Sequence, residues 1–487
     1  MGVVRLTGTP GVAPGAAAGG AATEFRAAGP RLVAKGLAAA PGRAIGPARV
    51  VRDVGELGTF RPGEILVSGH TTQEWLPALR VAAAVVSAEG GRTTHSAIVS
   101  RELGIPCVVG AEGILERVAT GETITVDGTF GLVFSGAAGE PKSARPPGPA
   151  ELRELPQWPA TGTRIFMNLG SLGKLDAYAH LPFDGIGLMR FEFLIADLVG
   201  AHPRHLLAQG RGELFVDRIV EGLARAGSTL WPRPIILRFS DLKTNEYRLL
   251  EGGEAYEPLE QNPMLGWRGV ARYVHPDYEE AFRLECRAVR RAREELGLTN
   301  LWVMLPFART VEEVLEVYRV MEAEGLRRGR DFKVWIMAEL PVNVLLADRF
   351  AQLCDGFSIG SNDLVQTVLA VDRDSARLSR MGYFDDRDPA VLEAMRHLIA
   401  TAHRYGRPVS ICGQGPSVYP DLCEFLVGCG IDCISVNPDA VVETRRLVAG
   451  LEQKLLLTRL ARLEARLRGA RRRSAAATAG RLSGGGR

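Results

Sequence analysis

Eight short apolar runs, each followed by a longer stretch of helical pattern, recur between residues 164 and 438 of this chain. They are "RIFMN" (164–168), "GIGLMR" (185–190), "PIILRF" (234–239), "VMLPF" (303–307), "VWIMAE" (334–339), "GFSIGS" (356–361), "PVSICG" (408–413) and "CISVNP" (433–438). Parallel strands covered on both faces read as such runs. Eight of them alternating with helices over residues 164–450 predict an α/β fold, a (β/α)8 TIM barrel, usually ~250 residues plus insertions. A doubly wound open sheet has the same alternation and is the competing architecture.

A barrel places chemistry where its strands end. Those ends read Arg190, Arg238, Glu339, the triplet Ser361-Asn362-Asp363, and Cys412. Paired guanidiniums offer forked donors to a phosphate or carboxylate. Two carboxylates at neighbouring strand ends, Glu339 and Asp363, suit Mg²⁺, which keeps waters and shares substrate oxygens. The rim therefore reads as built for a small, phosphorylated anion bridged by a metal; rim salt bridges are the plainer alternative for any one pair. Cys412, opening the glycine-rich "CGQGPS", is either a buried filler or a proton donor.

The segments outside the barrel differ in composition. Residues 1–31 are Ala/Gly/Pro-rich without a basic-then-apolar leader and are expected to be disordered. Residues 32–135 hold β-type runs broken by Gly, Pro and Asp, with one helix pattern at 96–103, and predict a small β/α domain. Residues 136–163, dense in Pro, Gly and Ala, predict a linker that lets one domain move against the other. The net charge of +3 conceals a tail, 451–487, with ten Lys/Arg against two Glu. Contact with nucleic acid or membrane is one reading of that tail; a solvated helix end and a disordered terminus is the simpler one. No apolar run approaches the roughly 20 residues needed to cross a bilayer. Seven cysteines without a CxxC pair or a zinc spacing read as buried fillers in a reducing cytoplasm. "HPRH" (202–205) reads as structural, since no further ligand accompanies it.

"EGGRTTHSAIVSRELGIPCVVG" (89–110) puts His95 between a glycine turn and an apolar helix. The glycines permit a positive-φ turn, Thr93 or Thr94 is expected to cap the helix, and Gly104 and Pro106 end it. Unpaired N–H groups and the helix dipole stabilise an anion on the ring and favour the neutral, nucleophilic imidazole. A capping or core histidine is the bland alternative.

This segment resembles the phosphohistidine loop of the PEP-utilising enzymes, the group containing phosphoenolpyruvate synthase, pyruvate phosphate dikinase and Enzyme I of the sugar phosphotransferase system. "DGIGLMRFEFLI", "ILRFSDLKTNEYRLLEGGEAYEPLEQNPMLGWRG", "VMLPFARTVEEV", "IMAELPVNV", "FSIGSNDLVQTVLAVDRD" and "SICGQGPS" are most similar to the phosphoenolpyruvate synthase branch, and the likeness spans roughly 32–450. The resemblance implies a swivelling phosphohistidine domain ahead of a PEP/pyruvate-binding barrel. It implies His95 as the phosphorylated nucleophile and Arg190 and Arg238 as grips on phosphoenolpyruvate. Glu339 and Asp363 become Mg²⁺ ligands, and Gly360, Ser361 and Asn362 complete the pocket. Arg268 and Arg373 are further cations of the site, and Cys412 exchanges a proton with the methyl/methylene carbon. Thr93 matches a position phosphorylated in some relatives. Only about 31 residues precede the domain, without a glycine-rich phosphate loop, so a separate ATP-grasp subunit or a phospho-carrier protein is the implied partner. A cytoplasmic homodimer follows from the same resemblance. An Enzyme I-like phosphotransferase, or a non-catalytic PEP-binding relic, is the alternative.

Overall fold

The computed structural model describes residues 31–137 and 158–483, except residues 72, 92, 93, 373, 374, 376, 379 and 380 and the side chains of Gln73, His95, Glu102 and residues 469–483. The expectations for residues 1–30, for most of the linker, and for Thr93 and Arg373 lie outside the described residues.

The first domain is one eight-stranded sheet. Its strands are β1 (Arg31–Lys35), β2 (Leu37–Ala40), β3 (Arg43–Val51), β4 (Ile65–Ser68), β5 (Ala84–Ser87), β6 (Cys107–Val109), β7 (Thr123–Asp127) and β8 (Leu132–Ser135), in the order β1-β8-β7-β3-β4-β5-β6-β2. The middle, β3 to β6, is parallel; the flanks are antiparallel. Alternate residues of a strand face opposite sides, which explains the unbroken apolar runs: Ile65, Val67 and Val86 enter one core, Leu66 and Val85 the other. The second core is covered by the helices Leu76–Val81 and His95–Leu103 through Leu79, Ala97 and Val99.

The second domain is a closed parallel barrel of β9 (Arg164–Leu169), β10 (Gly185–Arg190), β11 (Ile235–Arg238), β12 (Leu301–Leu305), β13 (Val334–Ala338), β14 (Gly356–Ile359), β15 (Val409–Ile411) and β16 (Cys433–Val436). Closure decides against the open sheet: β16 pairs with β9, Ile434 opposite Ile165 and Val436 opposite Met167. Large side chains fill the interior, among them Phe166, Trp335 and Met337, while branched residues on the outer faces meet the helices. The barrel is thus a packed core, and ligand space remains only at its mouth.

A helix, Val441–Ser483, follows β16. Glu452 on it accepts from the backbone N–H groups of Gly162 (2.8 Å) and Thr163 (2.7 Å), tying the end of the barrel to its beginning. The basic tail continues as this helix to Ser483, farther than a frayed helix end would reach, because its Ala, Leu and Arg residues are strong helix formers. Among the described residues no helix is long and apolar enough to cross a membrane.

Candidate active site

Arg190 and Arg238 end β10 and β11, Glu339 follows β13, Gly360 and the helix Ser361–Leu369 follow β14, and Cys412 follows β15. Arg190, Arg238, Arg268, Glu339, Gly360, Ser361, Asn362, Asp363 and Cys412 line one cavity of about 420 Å³.

Buried charges at its floor form a lattice. Arg238 donates from Nη2 to Glu192 Oε1 (2.5 Å) and lies 3.7 Å from Asp241 Oδ2. Arg268 grips Asp241 bidentately, Nε to Oδ1 at 2.9 Å and Nη2 to Oδ2 at 2.5 Å, and reaches both oxygens of Asp363 at 3.5 Å. Its guanidinium lies 4.1 Å from the centroid of the Phe307 ring. Burial opposes the Asp241 charge, but Arg268 outweighs it and holds that carboxyl below its ordinary pKa. Glu339 is the opposite case: burial, then the charges of Asp363 and Asp241, push its pKa well above the carboxylate range. Its Oε1 accepts from the Phe307 backbone N–H at 2.6 Å, whereas the buried Oε2 has no partner. A Cβ at position 360 would lie 2.9 Å from that oxygen, so only glycine passes here. Likewise a Cβ on Gly413 would fall 1.7 Å from Ser361 Oγ.

The Cys412 thiol is 5% exposed and donates to the Ile359 carbonyl at 3.6 Å. Burial pushes its pKa up to about 11. At neutral pH the group is a thiol, suited to giving a proton and unsuited to nucleophilic attack.

Three members of this array were not evident in the sequence: Glu192, Asp241 and Lys243, which also line the cavity. The signal was charge placed two to five residues past a strand-end arginine, in "RFEF" and "RFSDLK". Behind them Ser240 is clasped from every side. Glu285, fully buried on the helix Glu279–Glu294, accepts from Ser240 N (3.1 Å) and Oγ (2.5 Å). Tyr247 Oη donates to Ser240 Oγ at 2.9 Å and Tyr273 Oη to its carbonyl at 2.5 Å. The clasp fixes the turn between Arg238 and Asp241.

Burial raises the Glu285 pKa to about 8, with the Glu192 charge adding to it. A carboxyl raised in this way stabilises the fold fully below its unfolded pKa and loses that contribution as pH rises through the folded value. Urea unfolding at pH 5, 6.5 and 8 is therefore expected to show the wild type losing stability relative to Glu285→Gln by up to about 1.4 kcal/mol per pH unit. Parallel pH profiles would show that Glu285 is ionised in both states.

The first domain supplies the remaining wall of the cavity through Leu76, Pro77, Arg80, Val81, Ile98 and Val99. His95 opens the helix that carries Ile98 and Val99, three and four positions ahead of them. Gly90 adopts the positive φ of the turn (110°) and Gly104 ends the helix in the left-handed region. For Thr94 the capping expectation needs correcting: it occupies the N-cap, but its hydroxyl donates to the Gly91 carbonyl (2.8 Å) and accepts from no helix N–H. The helix therefore keeps its first N–H groups free of a side-chain cap from Thr94. His202, by contrast, is structural: its Nε2 meets Glu257 at 2.9 Å, and its Nδ1 accepts from Arg204 N.

Comparison with known families agrees with this two-part layout. Residues 148–453 match the PEP-utilising enzyme, PEP-binding domain, and residues 60–131 match the PEP-utilising enzyme, mobile domain. The chain belongs to the PEP-utilising enzymes. Among its relatives in this family are the phosphoenolpyruvate synthase of Aeropyrum pernix, 54% identical over 444 residues (90% of this chain, 54% of that one), and the probable phosphoenolpyruvate synthase of Staphylothermus marinus, 53% identical over 440 residues (88% and 53%). The phosphoenolpyruvate synthase of Synechocystis is 41% identical over 435 residues (84% and 52%). The chain spans about half the length of these relatives.

Proposed function

We propose that this chain moves a phosphoryl group reversibly between His95 and pyruvate, as the phosphotransfer half of a phosphoenolpyruvate synthase. The observation that carries the reading is the single cavity in which the strand-end charges of the barrel face a wall supplied by the His95 helix. In this scheme Arg190 and Arg238 hold the phosphate and carboxylate of phosphoenolpyruvate by forked hydrogen bonds. Arg268 keeps Asp241 and Asp363 in place, and Asn362 and the Gly360–Ser361 backbone line the rest of the pocket. Arg373 is assigned to the same anion. The P–O bond to the enol oxygen breaks as a His95 ring nitrogen takes the phosphoryl group. The Cys412 thiol then gives its proton to the methylene carbon, leaving pyruvate; synthesis runs the same steps backwards.

The residues fit a divalent cation. Glu339 Oε2 is buried without a partner beside Asp363 and Asp241, a surplus of negative charge that raises the Glu339 pKa. Glu339 and Asp363 would hold Mg²⁺ with the balance of its shell open to substrate and water. When bound, the ion would stabilise negative charge on the enol oxygen.

Loading of His95 from ATP is assigned to an ATP-grasp part outside residues 31–483, and the same reading includes a cytoplasmic homodimer. The test is incubation of the purified chain with Mg²⁺ and phosphoenolpyruvate labelled in its phosphate. An acid-labile label, absent from His95→Ala, is expected. A chain that takes no label with Mg²⁺ present is a relic, and onward transfer to a small carrier protein would make it Enzyme I-like.

A further inference from the structure

Polar contacts join the two domains near the C-terminal ends of two helices of the first. Arg80, on the helix Leu76–Val81, pairs with Asp197 at 3.0 Å and lies 5.8 Å from the Phe193 ring centroid. Lys174 Nζ donates to the Gly104 carbonyl at 2.5 Å, at the C-terminal end of the His95 helix.

The barrel partners are grouped. Lys174 follows β9, and Asp197 follows β10 on a single π-turn, Ile195–Val199. These strands are adjacent in the barrel, whereas Glu339, Asp363 and Cys412 follow β13, β14 and β15. Arg190, at the end of β10, is the site residue that shares the docking arc.

The point of attachment is chemically apt. A helix C-terminus exposes unpaired carbonyls and the negative end of its dipole, which a lysine satisfies. A side chain at Gly104 would block it, since a Cβ there would lie 2.7 Å from Lys174 Nζ. Nine steps of 1.5 Å put the gripped end, at Gly104, about 14 Å from His95. The grip thus leaves the phosphoryl-carrying end over the cavity. The Arg80–Asp197 pair is partly exposed, and such pairs are individually weak and screened by salt, as a contact that must release its domain in every turnover requires.

We propose that Arg80–Asp197 and Lys174–Gly104 form a docking latch, by which the β9–β10 arc holds the helix Leu76–Val81 and the His95 helix near their C-terminal ends during phosphoryl transfer. The inference rests on the function proposed above. Its test is charge exchange in the full chain: Arg80→Glu, Asp197→Arg and the double variant, with Lys174→Met alongside. Two quantities are read, the single-turnover rate of His95 labelling from phosphoenolpyruvate and the radius of gyration from small-angle scattering.

Each single change is expected to slow labelling about tenfold and to enlarge the radius, and the double to recover labelling to within about threefold and the radius fully. Raising salt should slow the wild type and leave the single variants little changed. Single variants that label at the wild-type rate, or a double variant no better than the singles, would overturn the latch. If the wild type takes no label, the functional reading falls, and the latch is judged on scattering alone: unchanged radii in all variants would refute it.

Discussion

Arg268→Met is expected to unfold the barrel rim as well as silence it. Arg268 is 2% exposed and is the counter-charge shared by Asp241 and Asp363, with Glu339 close by. Methionine fills much of the volume but leaves two carboxylates facing each other in a buried site. Removing one partner of such a pair costs about 3–5 kcal/mol, because the remaining charge has lost its compensation. The midpoint of urea denaturation should fall accordingly, and labelling of His95 should be lost even where the variant is folded. Arg268→Lys separates charge from geometry: one ammonium restores part of the stability, yet cannot span Asp241 with two hydrogen bonds and reach Asp363 as well. A methionine variant as stable as the wild type would mean that Asp241 and Asp363 are protonated in the folded chain.

The second large effect concerns Cys412. With its thiol removed in Cys412→Ala, label should still pass from phosphoenolpyruvate to His95, while incorporation of solvent tritium into the methyl group of pyruvate falls about 10²–10⁴-fold, the usual contribution of a positioned acid. That split separates a proton donor from a buried filler, whose loss would move both quantities together through packing. The pH dependence gives a further check. With the thiol pKa pushed up to about 11, protonation of carbon by Cys412 should be flat across neutral pH and decline only as pH approaches that value. A decline near pH 8.5, where an unperturbed cysteine titrates, would assign the proton to another group.

Much of this arrangement was legible in the chain itself, for identifiable reasons. Barrel strands are covered on both sides, so each is a short apolar run, and each of the eight runs contains or overlaps one strand. Arg190, Arg238 and Glu339 stood out because a charge closing an apolar strand has no packing role there. β1, β2 and β8 were harder. "RLVAK" and "LAAA" lack the β-branched density of a strand and are stabilised by partners distant in sequence, β8 and β6. The partners of Glu192, Asp241 and Glu285 were hidden for the same reason. Which carboxylate meets which guanidinium depends on β10 and β11 lying side by side, and on a helix some 45 residues downstream turning Glu285 towards Ser240. The contacts of Arg80 and Lys174 depend on how two domains meet, which no local pattern encodes.

The pairing of β16 with β9 has a bearing on biosynthesis. Residue 165 finds its neighbour only when residue 434 exists, and Gly162 and Thr163 wait for Glu452. The ribosome must therefore release nearly 300 residues of barrel before the cylinder can shut, while the sheet that ends at Ser135 already has all its strands. During that interval β9 offers an open apolar edge, the kind of surface on which nascent chains aggregate. Residues 31–135 are thus folded before the barrel closes, so the domain proposed to carry the phosphoryl group is complete before the rim proposed to receive it.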